Sequence, residues 1–232
     1  MFDFKTVFDV FLAILTVVPK TLVLALFVTV VSILLGILMA MIRAYKVPVL
    51  YQLTGIIISY MRGTPMVVQL FITYYALPEI VASTAGLFNV AIDSNSVSPI
   101  YSVLVTFILC ISAFQSEYIR GALLAVEFRQ MEAAYSVGMT TFQALYRIVV
   151  PQALVVALPN LFNAYMRVIK GMSLAFLVGF VDILAKAKLE SALNFKYIES
   201  YIAAVLVYWG LCIALTYIYR KTEMHFKRYV NA

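Results

Sequence analysis

Residues 132–151 read Glu-Ala-Ala-Tyr-Ser-Val-Gly-Met-Thr-Thr-Phe-Gln-Ala-Leu-Tyr-Arg-Ile-Val-Val-Pro, a polar, small-residue island in an otherwise oily chain. The stretch 131–137 predicts a short helix, stopped by Gly138 where a left-handed cap is wanted. Thr140 and Gln143 have capping-box spacing and open a second short helix that runs toward Pro151. Two short helices joined at a glycine make a rigid elbow. Ala133 and Ala134 add little bulk, so a partner groove can approach closely, and Glu132 offers that partner a carboxylate.

On either side of the elbow the chain is built for lipid. It is 64% hydrophobic and 12% charged, with uncharged runs over 21–42, 47–61, 63–78, 94–116 and 200–219. Such runs are too long and too apolar for a soluble domain of this size. A crossing takes about 20 residues, so the chain holds about five helices with no room for a separate soluble domain. The expectation is an all-α integral membrane protein, one transmembrane domain over 1–232, with spans near 21–43, 51–78, from Pro99 onward, 152–182 and 201–219.

The excess of 17 Lys+Arg over 11 Asp+Glu is a topology signal. In a soluble protein it would suggest nucleic acid; here the basic residues gather at span ends, as cytoplasmic loops do. Residues 80–99 carry no Lys or Arg, whereas Arg43, Lys46, Arg129, Arg147 and a C-terminal cluster (Arg220, Lys221, Lys227, Arg228) fall on the other side. That predicts the N-terminus outside and the C-terminus in the cytoplasm. Lys186, Lys188 and Lys196 run against the rule but are interleaved with Asp182, Glu190 and Glu199. Cys110 and Cys212 each sit alone in an apolar span, as packing residues do. His225 is solitary in a basic tail, and no His, Cys, Asp or Glu spacing suggests a metal.

Phe4, Val7, Phe8, Phe11, Leu12, Leu15 and Val18 recur at helical spacing, with Asp3, Lys5 and Asp9 between them. Residues 1–18 therefore predict an amphipathic helix lying in the membrane interface. Ser32, Gly36, Ala40 and Ala44 form a small-residue stripe for close helix packing. Arg62-Gly63-Thr64-Pro65 interrupts the second span, and Arg62 is expected to pair with Glu117 inside the membrane. Asn160, Asn163, Arg167 and Lys170 follow one another by three, four and three residues; at about 100° per residue they share an arc of about 80°. A charge near the bilayer centre costs about 2.5–3.5 kcal/mol on insertion scales and usually faces a cavity or a partner. The stripe suggests a wet passage, the alternative being that Arg167 and Lys170 snorkel or pair structurally.

Glu132-Ala133-Ala134-x-x-x-Gly138, with Ile148 and Pro151 in register, resembles the coupling loop of bacterial ATP-binding-cassette importer permeases. Tyr60-Met61-Arg62-Gly63-Thr64-Pro65 with Gln69-Leu70-Phe71, Glu117-Tyr118-Ile119-Arg120-Gly121 and Lys170-x-x-Ser173-Leu174 narrow the likeness to the polar amino-acid uptake group, the histidine/glutamine/arginine/cystine permeases. The resemblance implies a type I importer permease fold in a bacterial cell membrane, with residues 127–150 as the ATPase-coupling loop. It further implies a second permease subunit, identical or not, an ATPase dimer that holds ATP and Mg, and an extracytoplasmic amino-acid-binding protein. Cystine-type members match as well as any. Val150 stands where relatives have Leu, and Gly171-Met172 where they carry an acidic or amide residue and Thr.

No G-x-x-x-x-G-K-[ST] occurs, so this chain carries no phosphate-cradling loop and the motor must come in trans. No catalytic set and no cofactor site are expected on it. A secondary amino-acid transporter would carry inverted repeats, which the five spans lack; a membrane sensor would need no polar helix face.

Overall fold

A computed structural model describes residues 2–230, with side chains through Met224; the readings of His225, Lys227 and Arg228 lie outside the described side chains. Among the described residues every regular element is a helix; the α-helices are α1 Phe4–Leu15, α2 Val18–Ala44, α3 Leu50–Gly63, α4 Met66–Leu87, α5 Pro99–Leu124, α6 Phe128–Ser136, α7 Thr141–Ala144, α8 Val150–Gly171, α9 Ile183–Asn194 and α10 Tyr197–Val230. Five stretches are long and apolar enough to cross a membrane: Val18–Ala44, Met66–Leu87, Pro99–Leu124, Thr141–Val178 and Tyr197–Met224.

The second span departs from expectation in its middle and at its far end. Its interruption at 64–65 is complete, giving two helices. Beyond it α4 carries Pro78 internally and runs on to Leu87, where Ser83 and Thr84 bond back to the carbonyls of Glu79 and Ile80 at 2.5 and 2.7 Å. The loop without Lys or Arg expected over 80–99 is therefore shorter and begins after Leu87.

Side-chain contacts give the helix directions. Ser32 Oγ donates to the Ile108 carbonyl at 3.2 Å, and Arg43 pairs with Glu117 farther along, so α2 and α5 run parallel. Between those points a Cβ on Gly36 would lie 2.9 Å from Gln115 Cβ, closer than side chains tolerate. Ser32, Gly36 and Ala40 of the small-residue stripe are thus buried on a seam with α5, whereas Ala44 is exposed. Cys110 against the Met61 carbonyl and Ser102 against that of Thr73 set α3 and α4 antiparallel to α5. Arg167 on Tyr118 and Gly171 against Phe107 do the same for α8. Phe107, Leu70, Val28, Ile169 and Met172 fill the core where these helices meet.

The N-terminal helix is more firmly held than an interfacial helix need be. Asp3 caps it, accepting from Lys5 N at 3.0 Å, and pairs with Lys196, while its own N–H donates to Glu199 Oε1 at 3.3 Å. Val10 and Ile14 pack with Ile183, Ala187, Ala203 and Val207. The expected membrane face is only half free: Phe4, Phe8, Leu12 and Leu15 are exposed, but Val7 and Phe11 lean on this core. The buried side, Val10 and Ile14, carries smaller residues than the exposed Phe4 and Phe8. The Lys196 ammonium and the Thr6 hydroxyl hold the Asp3 carboxyl well below the usual carboxylate range. A depressed carboxylate contributes above its unfolded value of about 4, and the contribution is lost only as pH falls through the lowered one.

Candidate functional site

The elbow is built by local chain chemistry. Gly138 has φ +79° at the end of α6; its N–H reaches the Tyr135 carbonyl at 2.9 Å and that of Met139 reaches Ala134 at 3.0 Å, the paired bonds of a Schellman stop. Thr140 and Gln143 exchange both capping-box bonds at the start of α7. Beyond α7 the chain departs from the expected second short helix. Residues Leu145–Val149 form a wide π-helical turn, with Val150 N bonded to the Leu145 carbonyl, and the chain passes into α8 without a loop. Pro151 cannot donate to the carbonyl of Arg147, and a widened turn ahead of it absorbs that missing bond.

Of the elbow residues picked from sequence, Glu132, Ala133 and Gly138 are exposed and Ile148 and Pro151 half-buried. Ala134 corrects the expectation of two free alanines: it is buried, with Ala144, where α6 leans on the 145–149 turn. Glu132 has no ion pair among the described residues. Sequence reasoning missed Phe128, Val137, Phe142 and Tyr146, which all stand exposed along the elbow, the last two with their rings stacked 6.3 Å apart. In an oily chain nothing marks an exposed aromatic from a buried one.

Midway along the bundle lies the break between α3 and α4. Pro65 removes the donor that the Met61 carbonyl would take and drives Thr64 to extended backbone, φ −117° and ψ 149°. The freed acceptors are met by one buried side chain: Gln69 Nε2 donates to Met61 O at 3.0 Å, Thr64 O at 3.2 Å and Thr64 Oγ1 at 2.7 Å. Non-helical backbone at membrane depth survives only with such replacements. Beside the break is a cavity of about 240 Å³ whose wall includes Met61, Met66, Phe107, Cys110, Phe114 and Arg167.

The expected Arg62–Glu117 pair does not form. Glu117 is bracketed by Arg43, arriving at the end of the parallel α2, and by Arg120 one turn along its own helix at 2.9 Å. Arg62, one residue past Met61 of the cavity wall, lies over the Phe114 ring at 5.6 Å. Gly63 and Pro65 are exposed beside it. Arg167 approaches the same ring at 6.0 Å, lies over Tyr118 at 5.4 Å and donates from Nη2 to its hydroxyl at 2.8 Å. Two guanidiniums thus flank one phenyl group at the cavity, and neither has a carboxylate partner among the described residues.

Asn160, Asn163 and Lys170 are exposed on the face of α8 that carries Arg167, and the side chains of the two asparagines make no hydrogen bond among the described residues. They lie outside the cavity wall, which takes only Arg167 from the predicted stripe. Tyr118, Phe114 and Gln69 have site roles that spacing gave no way to assign.

The sequence profile of the family described as "Binding-protein-dependent transport system inner membrane component" matches residues 32–227. The probable amino-acid ABC transporter permease protein PatM of Vibrio harveyi is 40% identical over 215 residues, covering 93% of this chain and 92% of the relative. The L-cystine transport system permease protein TcyL of Bacillus subtilis is 34% identical over 227 residues, covering 98% and 92%. A solved structure described as an amino acid ABC transporter with histidines superposes with a TM-score of 0.81 over 97% of this chain and 99% of that one; at 24% identity the likeness bears on the fold.

Proposed function

We propose, for a chain that belongs to the family of binding-protein-dependent transport system inner membrane components and is the permease subunit of an amino-acid importer of the bacterial inner membrane, that it forms half of a translocation path. Residues 127–150 dock on a separate ATPase dimer, which holds ATP and Mg and does the hydrolysis. A second permease subunit covers the polar face of α8, and an extracytoplasmic amino-acid-binding protein delivers substrate. Cystine is the substrate favoured by the relatives' names.

The observation that carries this reading is the exposed face of α8. Asn160, Asn163, Arg167 and Lys170 would each meet hydrocarbon in a lone protomer, and for the two cations that costs about 2.5–3.5 kcal/mol apiece on insertion scales. Their exposure calls for a partner and water. The motion has a direct route: α7, the 145–149 turn and α8 are one unbroken helical run. A displacement of the elbow by ATPase closure therefore reaches Arg167 as the movement of a single lever. The N-terminal helix lies in the outer interface with Phe4 and Phe8 toward lipid.

The test is reconstitution with the candidate ATPase and binding protein. ATP-dependent uptake of labelled cystine into vesicles is the expected result; uptake that tracks an ion gradient without ATP would sink the reading. For orientation, the Lys and Arg distribution puts the loop after α4 outside. An Asn95→Cys variant should react with an impermeant thiol reagent in intact cells, and labelling only after lysis would invert the topology.

A further inference from the structure

Where α2 and α5 both begin, an open groove of about 460 Å³ runs along the bundle surface, walled by Pro19, Lys20, Val23, Leu24, Phe27 and Ile100. Lys20, Val23, Leu24 and Phe27 share one face of α2, so the cation heads a strip of hydrocarbon about 10 Å long at 1.5 Å per residue. Val23 and Phe27 are exposed, and no acidic residue lines the groove. The Lys20 ammonium lies over the Phe180 ring at 4.9 Å and has no carboxylate partner among the described residues. Phe180 itself is buried in the main core, so the head of the groove is a fixed part of the bundle. The groove is also turned away from the face assigned to a second permease subunit. Tyr165, whose hydroxyl donates to the Leu22 carbonyl at 3.4 Å, stands about 180° around α8 from the middle of the stripe that runs from Asn160 to Lys170, at about 100° per residue. At the edge of a membrane, what lies against such a surface is lipid.

We propose that this groove is a binding site for an anionic phospholipid. One acyl chain lies along Val23, Leu24 and Phe27, and the phosphate ester meets the Lys20 ammonium in a charge-assisted hydrogen bond. The methylenes of Lys20 extend the apolar wall while its flexible stem carries the charge to headgroup level. A zwitterionic lipid offers the same phosphate but brings an ammonium of its own toward Lys20, so net headgroup charge decides between the two. One lysine near the membrane surface favours the anionic lipid by about fivefold.

The chain has one tryptophan, Trp209, so Trp209→Phe combined with Phe27→Trp places a fluorescent reporter in the groove. The permease with its ATPase is reconstituted into vesicles, and its emission is read against the same complex lacking Phe27→Trp. Brominated phosphatidylglycerol should half-quench the reporter at about a fivefold lower mole fraction than brominated phosphatidylcholine. Lys20→Gln should bring the two lipids level, and Lys20→Arg should keep the preference; gel filtration of each variant establishes that the complex is assembled. Equal quenching by the two lipids with Lys20 in place would overturn the assignment, as would an unchanged preference in Lys20→Gln. Quenching by neither lipid would mean that protein, such as a second copy of the chain, fills the groove, and would overturn it as well. The measurement reads no transport, so each of these outcomes leaves the permease reading standing.

Discussion

Replacing Arg167 with leucine is expected to cut uptake per assembled complex by about thirtyfold or more, while the complex is recovered in normal amount. A hydrogen-bonded charge that meets an opposite charge in a desolvated site is worth about 2–5 kcal/mol when truncated, and 2 kcal/mol is a factor of about thirty. Recovery should be normal because Arg167 has no carboxylate partner to strand; the change leaves only the half-buried Tyr118 hydroxyl without its donor. Arg167→Lys should regain part of the rate, since charge remains while the planar fork is lost. A structural role for Arg167 forecasts the reverse: poor recovery of the complex, with the surviving fraction transporting at the normal rate. Transport per complex in reconstituted vesicles separates the two, and a normal per-complex rate for Arg167→Leu would retire the path assignment.

The elbow gives the second large effect. Gly138 lies at φ +79° with nothing within 4 Å of where a Cβ would stand. A Cβ there meets no clash, and the penalty of left-handed backbone strain is about 1–2 kcal/mol. The chain can relieve it only by opening the Schellman stop and turning α6 relative to α7. Glu132→Lys leaves the geometry intact and inverts the exposed charge. Both variants should lose the ATPase on purification, at least tenfold relative to the parent, while thermal unfolding of the membrane domain in detergent stays within a few degrees. Retention of the ATPase with normal transport in both would mean that residues 127–150 are not the docking surface.

Legibility from sequence tracks the range of the interactions. The five spans and the elbow depend on period, glycine and capping residues within a few positions of one another, and Gly138, Thr140 and Gln143 stand as their spacing predicts. The partner of Glu117 depends instead on how α2 and α5 are rotated and staggered, which puts Arg43 rather than Arg62 beside it. Ala134 looked free because a small residue reads the same whether a partner or its own chain covers it. Gln69 entered the sequence reading only within the stretch Gln69-Leu70-Phe71 that carries the resemblance, yet its amide meets the carbonyls freed at the Pro65 break. Val10 and Ile14 were hidden among neighbours equally apolar.

The bond between Asp3 and Lys196 spans 193 residues of chain, and it fixes when this molecule can be finished. At a synthesis rate of about 5–20 residues per second, α1 waits on the order of ten to forty seconds before the start of α10 and its partners exist. During that interval Val10 and Ile14 lack the α9 and α10 residues that cover them, and the surface of the bilayer is the available shelter. The inner side of α1 can be seated only after residues 183–207 have been made.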